Sequence, residues 1–286
     1  MKGPLIGAST FCLLFQPWRT AVTALLDLGF QAVELFGDAP QAHFTQLDAG
    51  DRRALREAAM RCELSLHAPG YELNVASANP CNQEEAVRQY REAVYLAAEI
   101  GARRLVVHEG HMSYWKLDRR EARKAALAGL NEVLKLARQM GIVIGLENTN
   151  YGKFAMYDSW QEWAAMASEL AAADDPALQL VLDVGHARLA GWDIPGLLRT
   201  LAPRIGQLHV HDNTGASDDH LHPGQGVVGW REVGRALLET GCEATIILES
   251  GPFEAADAVK PAKTWLDAWL APHRSQSGAT EVVASR

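Results

Sequence analysis

The chain has 286 residues, room for one large α/β domain or two ordinary ones, and its 48% hydrophobic and 22% charged content describes a globular protein with a sizeable core. Its 35 acidic and 27 basic side chains leave a net charge of −8, which argues against a large nucleic-acid footprint, normally visible as a basic patch. No apolar run reaches the ~18–20 residues of a membrane span, which excludes that class of helical membrane protein.

From Met1 to Pro17 the chain lacks the basic start, continuous apolar stretch and small-residue cleavage site of a signal peptide. Strand-like stretches then recur at residues 5–9, 32–36, 63–67, 104–108, 143–147, 178–183, 206–211 and 245–249. They are short, rich in Val, Ile and Leu, and bounded by Gly, Asn or Pro, as strands buried on both faces should be. Helical patterns lie between them. In 84–101, Val87, Tyr90, Val94, Ala97 and Ile100 recur every three or four residues, and in 121–141 Leu127, Leu130, Leu134, Ala137 and Met140 do the same. Gly29, Gly101, Gly141 and Gly241 stand where helical runs close and a left-handed cap is needed. Trp230, Trp265 and Trp269 fall in helical patterns and read as packing between barrel and helices. Residues 272–286 are polar and aperiodic, the expectation for a disordered tail. Cys12, Cys62, Cys81 and Cys242 show no CxxC spacing, so reduced thiols and a cytoplasmic location are expected.

Eight strand–helix units predict a single (β/α)₈ TIM barrel over residues 1–271. A doubly wound sheet is the competing arrangement, but it places its site at one switch point. Here six strands end on a side chain that can bind metal or move a proton: His67, His108, Glu147, Asp183, His209 and Glu249. A buried strand has no structural need for such an ending, so six of them predict convergence on one polar centre. Glu147, Asp183, His209 and Glu249 facing the barrel mouth would offer oxygen ligands and one nitrogen, a set that suits Mn²⁺, Mg²⁺ or Co²⁺ and also Zn²⁺. His211 shares parity with His209, so either ring could be the ligand and the other a hydrogen-bond partner.

Asp183 to His186 followed by Leu189-Ala190-Gly191, the stretch from His209 to Asn213 continuing to Asp218, His220 and Gly224-Gln225-Gly226, and the closing Leu248-Glu249 resemble the xylose-isomerase-like TIM-barrel superfamily. His67-Ala68-Pro69, Leu73-Asn74 and Val107-His108 extend the similarity, which covers roughly residues 5–270. That superfamily contains sugar and sugar-phosphate isomerases and epimerases, and also endonuclease IV. Its epimerase branch implies one divalent metal held by Glu147, Asp183, His209 and Glu249, with the two glutamates moving the substrate proton through an enediolate and His186 holding a substrate hydroxyl. Its endonuclease branch implies up to three Zn²⁺ held by His67, His108, Glu147, Asp183, His186, His209, Asp218, His220 and Glu249. The resemblance therefore implies a metal-dependent isomerase or epimerase of a sugar, sugar phosphate or polyol-derived keto compound. The alternatives are a Zn-dependent phosphodiesterase (an AP endonuclease) and a metal-enolate lyase on the same scaffold.

Departures from the endonuclease pattern favour the first reading. The loop after the second strand is acidic around Asp38 and has no Arg, Tyr71 stands one residue further from His67 than the pattern expects, and Glu109-Gly110-His111 replaces a Pro-Gly. Only Lys116, Lys153 and Arg188 remain as candidate phosphate contacts. Arg188 reads either as a clamp on a substrate phosphate or carboxylate or as a structural residue at a helix start. Phe11, Phe36, Trp115, Tyr151 and Phe154 sit just past strand ends, where they could stack on a sugar ring or pack the loops. Glu34 reads either as a substrate hydrogen-bond acceptor or as a salt-bridged acid. The expected partner is a small sugar-like molecule; neither nucleic acid nor membrane is expected, and barrels of this kind often form homo-oligomers.

Overall fold

The computed structural model of the protein describes residues 4–272. Eight strands form a closed parallel barrel: β1 (Ile6–Ser9), β2 (Ala32–Phe36), β3 (Glu63–His67), β4 (Arg104–His108), β5 (Val143–Glu147), β6 (Leu178–Asp183), β7 (Ile205–Val210) and β8 (Thr245–Leu248). Each pairs with the next in sequence, and β8 closes on β1 through Ile6 opposite Ile246 and Ala8 opposite Leu248. The strand positions expected from the sequence agree to within one residue at each end. The tail expected at residues 272–286 lies, Pro272 apart, outside the described residues.

The helices are α1 (Trp18–Asp27), α2 (Ala49–Ala59), α3 (Pro80–Ile100), α4 (Arg119–Met140), α5 (Trp160–Leu170), α6 (Val184–Leu189), α7 (Ile194–Leu201), α8 (Trp230–Thr240) and α9 (Lys260–Trp269). Side chains cap their starts: Asp48 and Asp51 form a reciprocal capping box on α2, and Asn79, Asp118 and Ser159 accept first-turn amides of α3, α4 and α5. Gly101, Gly141 and Gly241 close α3, α4 and α8 in the left-handed conformation that glycine adopts without a Cβ penalty. Helix α3 starts one turn before the apolar periodicity predicts, because Asn79 caps it and Pro80 fits the first helical position. The apolar stripe of α4 ends before expected: Leu130, Leu134 and Ala137 are buried, whereas Met140 at the last position is 40% exposed.

Apolar residues on the outer faces of the strands and the inner faces of the helices make one continuous core. Trp230, Trp265 and Trp269 join α8 to α9, with ring centroids 5.3–5.4 Å apart. The barrel interior is more polar. Between Leu180 and Val181 the β6–β7 register shifts: Leu180 faces Ile205, but Val181 faces Gln207. Period-2 alternation means that this one-residue bulge decides which face His209 occupies, and with it Asp183 and His209 stand opposite each other. Gly206 permits the bulge, since a Cβ there would lie 2.0 Å from Gln179 Oε1.

Candidate metal centre at the barrel mouth

Glu147 ends β5, Asp183 ends β6, His209 is the penultimate residue of β7 and Glu249 follows β8. Their ligand atoms lie within 4.8 Å of one another, and all four residues are buried. The Nδ1 of His209 is 3.2 Å from Glu147 Oε1, 3.4 Å from Glu249 Oε2 and 4.0 Å from Asp183 Oδ2. Three carboxylates thus meet around one imidazole nitrogen. On the far side of that ring, Nε2 is 3.2 Å from Glu34, a fully buried residue that also accepts from Ser65 and Gln207. A carboxylate only accepts, so Glu34 favours a proton on Nε2, which the Gln207 amide nitrogen also approaches at 2.9 Å, and Nδ1 faces the other three acids.

Two further groups adjoin this one. His67, His108 and Glu147 form the first, and His186, His211, Asp218 and His220 the second. Glu147 Oε2 is 3.3 Å from His67 Nε2 and 3.5 Å from His108 Nε2, yet it makes no hydrogen bond of acceptable geometry. A buried carboxylate oxygen with two imidazole nitrogens close by but not hydrogen-bonded to it fits a cation placed between them, as does the oxygen-rich donor set around His209. The imidazoles are oriented for it. His67 Nδ1 donates to the Ala68 carbonyl at 2.8 Å, His186 Nδ1 to that of Asn148 at 3.0 Å and His220 Nδ1 to that of Glu249 at 2.6 Å. Each Nε2 is left facing the site.

The electrostatics separate the two glutamates. Burial raises the Glu147 carboxyl, but His209, His108 and His67 outweigh it and hold the pKa well below the usual range. Burial raises Glu249 too, and the charge of Glu147 adds to it beyond what His209 offsets, so its pKa lies above the ordinary value. Desolvation opposes a charge on His209, yet Glu34, Glu249 and Glu147 drive its pKa well above that of free imidazole. His67, buried beside Glu147, rises to about 9 by the same balance. His220 also reaches about 9, mainly through Asp218, which is itself held low by His186 and His220.

Sequence-predicted residues meet here unequally. His211 sits one pleat beyond His209, 3.1 Å from both Asp183 oxygens, and its ring packs so closely on Gly185 that a Cβ there would lie 2.1 Å away. Asp218 and His220 return to the mouth on a long loop after β7. Asp212 secures that loop, pairing with Leu221 in a two-residue bridge and accepting from Gly224, Val228 and Trp230. Glu34 lies beneath His209, away from the cavity walls. Arg188 is exposed on α6 and donates to the Val227 carbonyl, also outside those walls. Of the aromatic residues expected at the mouth, Phe11, Phe36 and Tyr151 line the cavity and Trp115 and Phe154 do not.

Three structural anchors escaped sequence reasoning. Asn148 ties β5 to β6 by exchanging hydrogen bonds with the Asp183 backbone at 2.9 and 3.0 Å. Asp38 holds the loop after β3 through the Gly70 and Tyr71 amides. Buried Glu109 accepts from Thr149 and from the Tyr157 hydroxyl, and burial pushes its carboxyl up. The only sequence signal for these residues is a polar side chain just past a strand end.

A profile described as xylose isomerase-like TIM barrel matches residues 22–269. The chain belongs to that family. Among relatives of this xylose isomerase-like chain, an uncharacterized protein of Methanocaldococcus jannaschii is 28% identical over 89% of this chain and 85% of its own. The D-psicose 3-epimerase of Enterocloster bolteae is 24% identical over 88% of this chain and 83% of its own. A solved structure of a D-tagatose 3-epimerase-like protein superposes with a TM-score of 0.80 at 25% identity, covering 96% of this chain and 99% of that one.

Proposed function

We propose that this protein is a divalent-metal-dependent epimerase or isomerase acting on a sugar, sugar phosphate or related polyol-derived keto compound. The observation that carries the reading is the convergence of Glu147 and Glu249 on one point with Asp183 and His209, while the surroundings push the two glutamates' ionisation in opposite directions. The similarity to D-psicose 3-epimerase supports it.

Glu147, Asp183, His209 and Glu249 would hold the metal. A divalent ion bound there supplies Lewis acidity, which polarises a substrate carbonyl and acidifies the adjacent C–H. Glu147, kept ionised, is suited to accept the proton from that carbon; the C–H pair becomes a C=C bond, the carbonyl π pair moves onto oxygen, and an enediolate is left. Glu249, whose carboxyl holds its proton to higher pH, is suited to return one to the opposite face. His186 lines the same cavity and would hold a substrate hydroxyl. A cytoplasmic location accords with the four free cysteines.

The test is incubation with Mn²⁺ and candidate ketoses in deuterated water. Incorporation of solvent deuterium beside the carbonyl is expected, and its absence across ketoses and their phosphates would sink the reading. A Zn-dependent phosphodiesterase draws on the three adjacent ligand groups. Close to three zinc ions per chain, with incision of abasic-site DNA, would favour that reading, whereas a single metal ion favours the epimerase. A lyase would be recognised by cleaved products.

A further inference from the structure

The cavity over the metal centre measures about 670 Å³, within the range of about 300–1,000 Å³ that holds drug-sized ligands. At about 30 Å³ per water it has room for roughly twenty waters, and a ketohexose of twelve bonded heavy atoms would fill well under half of it. The ligand groups occupy only its inner end. Its outer walls come from the loops after β3, β4 and β5 and the first turn of α3, and carry Asn74, Ser77, Asn82, Ser113 and Asn150, a set of neutral amides and hydroxyls.

Charge narrows the choice further. No lysine or arginine is among the residues lining the cavity, whereas Asp38, Glu72, Asp218 and the two ligand glutamates are. The basic side chains among the described lining residues are histidines, which hold the inner acids, so a phosphate dianion on the distal part of a substrate would meet Glu72 without the lysine or arginine that pairs best with it. Tyr71 on the wall is 58% exposed, and Tyr114 and Trp115, immediately after Ser113, are 50% and 44% exposed with ring centroids 5.9 Å apart. Exposed rings beside a polar cavity provide flat faces for the apolar side of a sugar ring. Lys116 and Lys153 lie over the Trp115 ring at 4.7 and 5.7 Å from its centroid, which leaves Tyr71 and Tyr114 as the rings available to a sugar.

We propose that the substrate is a keto sugar bearing a second neutral, hydroxyl-rich unit, of disaccharide size overall. The keto end lies at the metal centre and the second unit runs along the β3–β5 loops toward Tyr71 and Tyr114. This inference rests on the epimerase reading.

The test measures Mn²⁺-dependent deuterium exchange, and separately equilibrium binding, for a free ketohexose, a ketopentose phosphate and a ketose-terminated disaccharide. The kcat/KM for the disaccharide should exceed both others by roughly tenfold or more, the scale of one or two added net hydrogen bonds. Equal or better turnover of the phosphate or the free ketose would overturn the proposal and leave the epimerase reading standing. Absence of exchange with all three would sink the epimerase reading; binding then decides, and a disaccharide bound no tighter than the phosphate overturns the substrate class too. The variant Asn82→Trp narrows the outer end, so the disaccharide-to-ketohexose ratio of kcat/KM should fall toward one. An unchanged ratio would refute the placement of the second unit.

Discussion

The two ends of the barrel interior treat buried charge in opposite ways. At the floor, the Arg104 guanidinium donates to Gln207 Oε1 at 2.9 Å and to Gln179 Oε1 at 2.7 Å. Glu63 accepts from Thr245 at 2.6 Å and from Arg103 at 2.9 Å. Donors face acceptors there, and of the Arg104 guanidinium nitrogens only Nε lacks a partner. At the mouth, Glu147, Asp183 and Glu249 crowd one imidazole with no lysine or arginine among the residues lining the cavity. The floor pairs most of its charge within the protein, whereas the mouth is arranged for charge brought from outside. That matches the division of labour in barrels, with chemistry at the C-terminal ends of the strands and stability at the other face.

The largest expected effect lies with the two glutamates. Glu147→Gln and Glu249→Gln should each lower substrate deuterium exchange by about 10²–10⁴-fold, the range of a positioned acid or base. Both variants should stay folded by circular dichroism. Exchange that persists in both would remove the proton-transfer roles of the two glutamates and assign them to another group at the mouth.

Next in size is metal uptake. Wild-type protein with Mn²⁺ at about 100 times Kd should gain about 2.7 kcal/mol, a rise in Tm of roughly 5–10 °C. Asp183→Asn should weaken binding by more than the ~10–100-fold typical of outer-layer partners and abolish most of that rise. Equilibrium dialysis showing equal uptake by the variant would sink the four-residue site.

The fold and the inner acids of the mouth were legible because their signals are periodic. Strands buried on both faces read as apolar runs, and a charged residue that ends such a run stands out against it, as Glu147 and Asp183 do. His209 and His211 share parity, so only height along the barrel separates them. The register shift at Gly206 sets Asp183 against His209 and leaves His211 one pleat further out. Arg188, two residues from His186 on α6, points elsewhere because residues i and i+2 of a helix do not share a face. Asp38, Asn148 and Glu109 were illegible for another reason: their partners are loop amides, hydroxyls and, for Asn148, the backbone of Asp183, and no periodicity records those pairings.

A pH series sharpens the contrast at intermediate size. Metal must displace the proton of His209, whose pKa lies well above that of free imidazole, and is repelled by a protonated His67 beside Glu147, so affinity should rise with pH as both imidazoles lose their charge. In metal-free protein the sign is reversed. His67 has a folded pKa of about 9, above its ordinary 6.5, so its stabilising contribution is complete below pH 6.5 and lost as pH rises through 9. Calorimetry at pH 6.5 and 9 should therefore show metal-free protein losing Tm with pH while the increment due to metal grows. Parallel changes in both would contradict a shared site for proton and metal.

The smallest effect belongs to the floor. Arg104→Met keeps much of the side chain's length and apolar stem but strands the acceptors Gln179 Oε1 and Gln207 Oε1, at a cost of about 2 kcal/mol. In a chain of this length that lowers Tm by roughly 4–8 °C. Gln207 also donates to Glu34, which faces His209, so a polar path does run from floor to mouth. If the floor serves stability alone, Mn²⁺ affinity should stay within about threefold of wild type, since the path passes through a Gln207 that can still reach Glu34. A tenfold or larger loss of affinity, measured by titration calorimetry at a temperature where the variant is fully folded, would mean that Arg104 holds His209 in place through Gln207 and Glu34. The two ends of the barrel would then be one network rather than two regions with separate tasks.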